Sequence, residues 1–87
     1  MNKYEQKPDR IIDLHGFTTT QAKFVLDELL ERGKGRVRVI TGKGDLRNGP
    51  VLRSYVQEYL KKRGVAFRTA KISDGGDGAL EVFPSKH

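Results

Sequence analysis

The order of short apolar segments and helical stripes in the sequence predicts an α/β fold with two layers. Two segments carry apolar residues at the spacing of one helical face, and four short apolar or alternating segments are typical of strands. In chain order they predict βαβαββ, with a four-stranded mixed sheet. Helical crossovers make the first three strands parallel, and right-handed connections can place both helices on one face. The predicted fold is therefore a two-layer sandwich whose second sheet face is open.

The first half of this pattern consists of a strand, a helix and a second strand. Residues 10–14 form a short apolar run, and residues 36–40 alternate charged and apolar side chains. Between them, Thr18 and Gln21 have the spacing of a capping box. The apolar face of the helix consists of Ala22, Val25, Leu26, Leu29 and Leu30. Gly33 is predicted to end this helix as a left-handed residue.

The second half consists of a helix and two further strands. Pro50 suits the first position of a helix, and Gly64 is expected to end it. The apolar face of this helix consists of Leu52, Tyr55, Val56, Tyr59 and Leu60. Residues 65–72 and 79–83 are predicted as the third and fourth strands, joined by a glycine turn at 74–78.

Length and composition limit the classes of protein to be considered. The 87 residues suit one small domain, which we place at residues 10–84, with a flexible N-terminal tail at 1–9 and a C-terminal tail at 85–87. The absence of cysteine excludes disulfides, a thiol nucleophile and thiolate metal sites. No apolar run is long enough for a membrane span, and no signal peptide is recognisable. We therefore expect a cytoplasmic protein that does not associate with membranes.

The charge of the chain is positive and unevenly distributed. The 17 lysines and arginines exceed the 11 acidic residues, and residues 33–68 hold ten of the basic residues but only two of the acidic ones. A localised basic surface favours polyanions, above all nucleic acid. The alternative interpretation is a solvated surface that binds nothing in particular.

Three loops are predicted to meet at the carboxyl ends of the parallel strands, where α/β sheets bind ligands. They are His15–Gly16–Phe17, Thr41–Gly42–Lys43–Gly44 and Gly75–Gly76–Asp77–Gly78. Glycine lets backbone N–H groups approach a phosphate, and Lys43 adds a positive charge. The spacing is not that of a Walker loop, and an ordinary turn is the alternative interpretation.

Asp13 and His15 are the strongest candidates for chemistry. They are two residues apart on a strand, so they share one face, whereas Ile12 and Leu14 point to the other. Imidazole suits proton transfer near neutral pH, and a neighbouring carboxylate can fix its tautomer or hold a metal. The alternative is a structural pair in which Asp13 accepts hydrogen bonds from the loop.

These motifs together resemble the Smr (small MutS-related) domain family. The resemblance rests on IIDLHG at residues 11–16, TGKG at 41–44 followed by Leu46–Arg47 and Pro50–Val51–Leu52, and GGDGALEV at 75–82. It covers roughly residues 11–83. It implies a fold similar to the C-terminal domain of translation initiation factor three, with the sheet order 1-2-4-3. Many members are fused to other domains, so this chain is also compatible with a fragment of a longer protein.

The resemblance implies nicking or endonuclease activity on DNA or RNA, including messenger RNA on ribosomes. It implicates Asp13 and His15 in cleavage and associates the second motif, Thr41 to Gly44, with nucleic-acid binding and catalysis. Many members have histidine where this chain has Thr41. A mechanism with two histidines would therefore lack its second imidazole here.

The leading hypothesis is an endonuclease domain that cleaves phosphodiester bonds. His15 would act as general base or acid, and Asp13 would orient it or hold a divalent cation such as Mg²⁺ or Mn²⁺. Phosphate contacts are predicted for Gly16, Thr41, Gly42, Lys43, Gly44 and Arg47. The alternatives are a nucleic-acid- or ribosome-binding module without turnover and a phosphate-dependent small-molecule enzyme. The sequence does not choose between RNA and DNA or define the oligomeric state.

Overall fold

The computed structural model of the chain describes residues 7–42, 49–70 and 76–84, and for Gly49, Pro50 and Asp77 it describes the backbone only. The elements in chain order are strand β1 (Arg10–Asp13), helix α1 (Thr19–Arg32), strand β2 (Val37–Ile40), helix α2 (Gly49–Lys62), strand β3 (Ala66–Thr69), a 3₁₀ turn (Gly76–Gly78) and strand β4 (Ala79–Phe83).

The four strands form one mixed sheet in the order β1-β2-β4-β3, as the resemblance implied. β1 pairs with β2 in parallel, and β4 lies antiparallel to both β2 and β3. β3 therefore runs in the same direction as β1 and β2, which confirms the prediction of three parallel strands joined through helices. Both helices consequently begin at the carboxyl edge of the sheet and end at the opposite edge.

Helix α1 begins at the capping box that the sequence predicts. The backbone N–H of Gln21 donates to the Thr18 hydroxyl over 3.1 Å, and the Gln21 side chain accepts from the Thr18 N–H over 3.0 Å. The prediction for the other end is wrong in its detail. Gly33 does follow the last turn, but its φ is −69°, in the extended region. Its N–H donates to the Leu29 carbonyl over 2.6 Å, and any Cβ at this position would lie 2.4 Å from that oxygen. Close approach, rather than a left-handed backbone, therefore favours glycine here.

The core lies between the helices and one face of the sheet. The predicted helical stripes supply half of its buried residues, and Val25, Leu30 and Tyr55 are partly buried at its margin. The buried residues of the cluster are Ile12, Leu14, Ala22, Leu26, Leu29, Val37, Val39, Leu52, Val56, Tyr59, Leu60, Val65, Leu80 and Val82. Phe24, which lies off the α1 stripe, is 71% exposed and contributes nothing to this core.

Some predicted boundaries differ from the observed ones. The third strand is only Ala66–Thr69, and the described part of the predicted glycine turn forms a 3₁₀ turn at Gly76–Gly78; residues 71–75 lie outside the described part of the chain. Asp9, which we assigned to the N-terminal tail, is hydrogen-bonded to Arg36, the residue directly before β2. Its N–H donates to the Arg36 carbonyl and its carboxylate accepts from the Arg36 N–H, both over 2.8 Å.

The sheet face opposite the helices carries a buried ionic cluster. Glu81 on β4 is 2% exposed. Arg38 Nε donates to one of its carboxylate oxygens over 2.7 Å, and Arg36 Nε lies 3.1 Å from the other. Neither α1 nor α2 covers this face, as predicted for the two helices. Two of the arginines in the basic segment pair with Glu81 on it.

Candidate functional site

Backbone hydrogen bonds join the predicted loops at the carboxyl edge of the sheet. The Leu14 N–H donates to the Ile40 carbonyl over 2.7 Å, which continues the β1–β2 pairing into the first loop. The N–H groups of Thr41 and Gly42 both donate to the Gly78 carbonyl, over 2.9 and 3.0 Å. The first, second and last loops therefore meet at one edge, as the topology predicts.

The side chains of Asp13 and His15 are hydrogen-bonded to each other at this edge. His15 Nδ1 lies 2.5 Å from Asp13 Oδ1, and the same oxygen accepts the His15 backbone N–H over 3.0 Å. Both side chains are open to solvent, with 71% of His15 and 49% of Asp13 exposed. Ile12 and Leu14 are buried in the core on the other side. The alternation predicted from the sequence is confirmed, and the pair is accessible to a large substrate.

The hydrogen bond from the His15 side chain, reinforced by that from its backbone N–H, holds the pKa of the Asp13 carboxyl below its usual value. Asp13 is therefore ionised at neutral pH and can only accept hydrogen bonds. In a neutral His15 imidazole the proton consequently lies on Nδ1. The lone pair on Nε2 is then available to accept a proton from another group.

Thr41 and Gly42, two of the predicted phosphate contacts, use their backbone N–H groups for hydrogen bonds within the fold. Thr41 is 1% exposed, and its hydroxyl lies within hydrogen-bond distance of the Gly42 and Gly78 carbonyls. Because the N–H groups of Thr41 and Gly42 are both bonded to Gly78, they do not point to a free anion site. Gly42 has a φ of +83°, so glycine is needed for the backbone to turn here. These two residues shape the loop that leads to Lys43.

Of the other predicted phosphate contacts, the structure describes Gly16 only. Gly16 lies in the first loop with a φ of +81° and open space where a Cβ would stand. Its glycine is therefore explained by the backbone conformation rather than by close packing. Lys43, Gly44 and Arg47 lie outside the described residues.

The described residues do not form a ready-made metal centre. Within residues 7–42, 49–70 and 76–84 no group of three or more His, Asp or Glu side chains could hold a metal ion. Asp13 is one carboxylate, and one of its oxygens already accepts two hydrogen bonds from His15. Among the described residues, this edge therefore offers a divalent cation the Asp13 carboxylate but no preformed cluster of ligands.

Arg53 is a residue near this edge that the sequence reading missed. It lies in the second turn of α2, and its Nη2 donates to the Thr69 hydroxyl at the end of β3 over 3.0 Å. Its Nε is buried and has no hydrogen-bond partner. A polar residue between apolar stripe positions gave no signal in the periodicity. Its place in the second turn of the helix that follows the glycine-rich loop is the feature that could have drawn attention to it.

The described cations of the basic segment are spread over the molecule rather than gathered at this edge. Lys34, Lys61 and Lys62 are exposed at or beyond the ends of α1 and α2, at the opposite edge of the sheet. The Arg63 guanidinium stacks over the Tyr59 ring at 3.7 Å from its centroid. Among the described residues, the cations of the basic segment therefore do not form one patch at the carboxyl edge of the sheet.

The family model of the Smr domain matches residues 12–83, which include the Asp13–His15 pair, the second loop and β4. The chain belongs to the Smr domain family. This family consists of nucleic-acid-binding and nuclease-like domains, and only some of its members are nucleases.

Solved Smr domains share the fold of this Smr domain. The crystal structure of the Smr domain of Thermus thermophilus MutS2 is 30% identical, with a TM-score of 0.73, and the match covers 85% of this chain and 95% of that one. The solution structure of the B3BP Smr domain is 28% identical, with a TM-score of 0.69, covering 87% and 78%. The crystal structure of the human small-MutS related domain is 30% identical, with a TM-score of 0.62, covering 83% and 96%. No curated protein sequence matches the chain significantly.

Neither helix in the described part of this Smr domain is long and apolar enough to span a membrane.

Proposed function

We propose that this Smr domain is an endonuclease domain that cleaves phosphodiester bonds in nucleic acid, with His15 as the proton-transferring group. The observation that carries the proposal is the 2.5 Å contact between His15 Nδ1 and Asp13 Oδ1 on an exposed edge. A histidine serving only the fold has no need of an oriented imidazole with its second nitrogen open to solvent.

The chemistry that fits this pair is general acid–base catalysis. Nε2 of His15 accepts a proton from the attacking oxygen, which belongs to water or, in RNA, to a ribose hydroxyl. That oxygen forms a bond to phosphorus, the bond to the leaving oxygen breaks, and a proton returns to the leaving oxygen. Asp13 holds the imidazole in the required tautomer and orientation.

The second loop is proposed to bind the phosphate backbone next to this pair. Thr41 and Gly42 are fixed to Gly78, so the chain that follows them leaves the sheet edge from a defined position. Lys43 is the next residue, and its ammonium group is the proposed source of positive charge for the transition state. Asp13 is the residue that would contribute one oxygen to a divalent cation held mainly by substrate and water.

The test is cleavage of labelled single- and double-stranded RNA and DNA by the wild-type protein and by His15→Ala and Asp13→Asn. Both variants are expected to lose cleavage while remaining folded at the assay temperature and keeping the wild-type nucleic-acid affinity. His87→Ala, which removes the other histidine of the sequence, is the control and should cleave normally. Parallel reactions with a chelator determine whether a divalent cation is needed.

Two outcomes would contradict the proposal. A folded His15→Ala protein that cleaves at the wild-type rate would exclude His15 from the chemistry. A wild-type protein that binds nucleic acid in a salt-dependent manner but cleaves none of the four substrates would establish the alternative, a binding module without turnover.

A further inference from the structure

We propose that Arg53, held in place by Thr69, binds a second phosphate of the nucleic acid, away from the bond that is cleaved. This inference rests on the proposed function, because it extends the same substrate across the carboxyl edge of the sheet. The ligand is a backbone phosphodiester of the strand that His15 acts on.

The first reason is that the Arg53 charge has no anionic partner among the described residues. Its Nη2 donates to a neutral hydroxyl, that of Thr69, and its Nε is buried without a hydrogen bond. No described carboxylate lies within ion-pair distance of it. A partly buried guanidinium held in this way loses hydration without a compensating charge.

Other arginines at the sheet show the usual arrangement. Arg10 makes two hydrogen bonds to Glu28, over 3.0 and 3.3 Å, and Arg36 and Arg38 flank the buried carboxylate of Glu81. Arg53 differs from them because its guanidinium is held by the Thr69 hydroxyl and has no described carboxylate within ion-pair distance. Such an arrangement suits an anion supplied by a ligand, and the planar guanidinium matches the oxygens of a phosphate.

The second reason is the position of Arg53. Thr69 is the last residue of β3, and the next N–H, that of Ala70, donates to the Ala79 carbonyl over 3.0 Å. Ala79 follows Gly78, the residue that fixes the second loop. Arg53 therefore lies at the same edge as the loops, on the helix-covered side, whereas Asp13 lies on the opposite face of β1.

The spacing of the strands gives the approximate separation between the two contacts. β1 and β3 are the outer strands of a four-stranded sheet, so three inter-strand spacings, roughly 14 Å, separate their ends. A strand crossing this edge would therefore place different phosphates at His15 and at Arg53. No acidic residue lies in the first turn of α2 to repel it.

The experiment compares Arg53→Gln with Arg32→Gln in cleavage and binding assays. Arg32 is exposed at the end of α1, has no ion-pair partner among the described residues, and its substitution removes the same charge. Binding is measured in the His15→Ala background, so that the substrate stays intact. Arg53→Gln is expected to weaken binding about tenfold, the low end for a hydrogen bond to a charged group. It should also reduce the slope of log affinity against log salt by about 0.7–0.9, the value for one phosphate contact.

Three further readouts separate binding from structure. In an otherwise wild-type chain, Arg53→Gln should raise KM and leave kcat unchanged, because this contact is the same before and during the reaction. Arg53→Lys should retain most of the salt slope but less of the affinity. The melting temperature of Arg53→Gln should match that of the wild type, since no anionic contact is lost.

The outcomes that overturn this inference are distinct from failure of the proposed function. If Arg53→Gln and Arg32→Gln have equal affinity and equal salt slope while the wild type cleaves, the Arg53 contact alone is overturned. A lower melting temperature with a proportional loss of kcat and affinity would assign Arg53 a structural role and overturn it as well. Absence of nucleic-acid binding by the wild type would overturn both proposals.

Discussion

Tyr59 of α2 donates its hydroxyl hydrogen to the carboxylate of Asp27 on α1. Lys23, one turn earlier on α1, pairs with the other oxygen of Asp27 at 2.9 Å. The hydrogen bond from Tyr59, and then that from Lys23, lowers the pKa of Asp27, while burial and the bond to Asp27 raise the pKa of the Tyr59 hydroxyl. This contact ties together the two helices that cover the sheet.

Tyr59→Phe is expected to lower the melting temperature, because it removes this donor and leaves the Asp27 carboxylate with only Lys23. Tyr55→Phe is the matched control. The ring centroid of Tyr55 lies 6.3 Å from that of Tyr59, but Tyr55 makes no hydroxyl hydrogen bond in the described structure. Thermal unfolding at neutral pH measures both. Equal melting temperatures for the two variants would show that the Tyr59–Asp27 bond does not stabilise the fold. The difference in melting temperature between the wild type and Tyr59→Phe should also decline as the pH rises above about 10, where tyrosine ionises in the unfolded chain.

Leu26→Ala is expected to destabilise the domain by about 2–5 kcal/mol, since Leu26 is fully buried on the face of α1 that packs on the core. In a domain of this size each kcal/mol lowers the melting temperature by about 4–8 °C. Phe24→Ala, two residues away on the exposed side of the same helix, is the control and should leave the melting temperature unchanged. A Leu26→Ala protein that melts with the wild type would remove Leu26 from the core.

The contacts that could be predicted from the sequence are those between residues close in the chain. The Thr18–Gln21 capping box and the shared face of Asp13 and His15 follow from spacings of three and two residues. The core stripes follow from helical periodicity. The bond between Tyr59 and Asp27 and that between Arg53 and Thr69 depend on how helices and strands are placed against each other.

The ionic cluster on the sheet face opposite the helices could not be predicted from the sequence either. Arg38 lies opposite Glu81 only because β4 inserts between β2 and β3 in this register. Composition assigned Arg36 and Arg38 to a basic surface, whereas the register engages both with one carboxylate. The resemblance implied the strand order but did not specify the partners of these side chains.

Glu81→Gln is expected to destabilise the fold by about 3–5 kcal/mol, because it leaves two largely buried guanidinium groups without their shared carboxylate. Glu31→Gln, an exposed acid on α1, is the control. Combining Glu81→Leu with Arg36→Met and Arg38→Met should recover much of the loss, since the buried charges are then absent together. Chemical denaturation measures all three proteins. A Glu81→Gln variant as stable as Glu31→Gln would contradict the structural role of the cluster.

Asp13→Asn is expected to lower stability at neutral pH, by an amount that disappears in acid. Because the folded-state pKa of Asp13 lies below its usual value of 3.8, its ionised form stabilises the fold above that pH. This contribution is lost as the pH falls through the lowered pKa of the folded protein. Unfolding free energies of both proteins between roughly pH 7 and pH 2 test this. A difference that stays constant over that range would show that the charge of Asp13 does not couple to folding.

Nucleic-acid affinity is expected to depend on the cations of the loop edge rather than on the basic segment as a whole. Lys34, Lys61 and Lys62 lie at the far ends of the helices, and α2 alone separates the two edges by about 20 Å. This exceeds the screening length of about 8 Å at physiological salt. Changing all three lysines to glutamine should therefore leave the salt slope of binding nearly unchanged.

Lys43→Ala, by contrast, removes one charge from the loop that Gly78 fixes, and it should reduce the salt slope by about 0.7–0.9. It should also slow cleavage at subsaturating substrate, because a phosphate contact acts before and during the reaction. Binding isotherms at several salt concentrations, with a fixed oligonucleotide, compare the single and triple variants. A triple variant that loses three times as much slope as Lys43→Ala would mean that the lysines at the far edge contact phosphates as well. The strand would then extend from the loop edge along the helices, and binding would not be confined to the carboxyl ends of the strands.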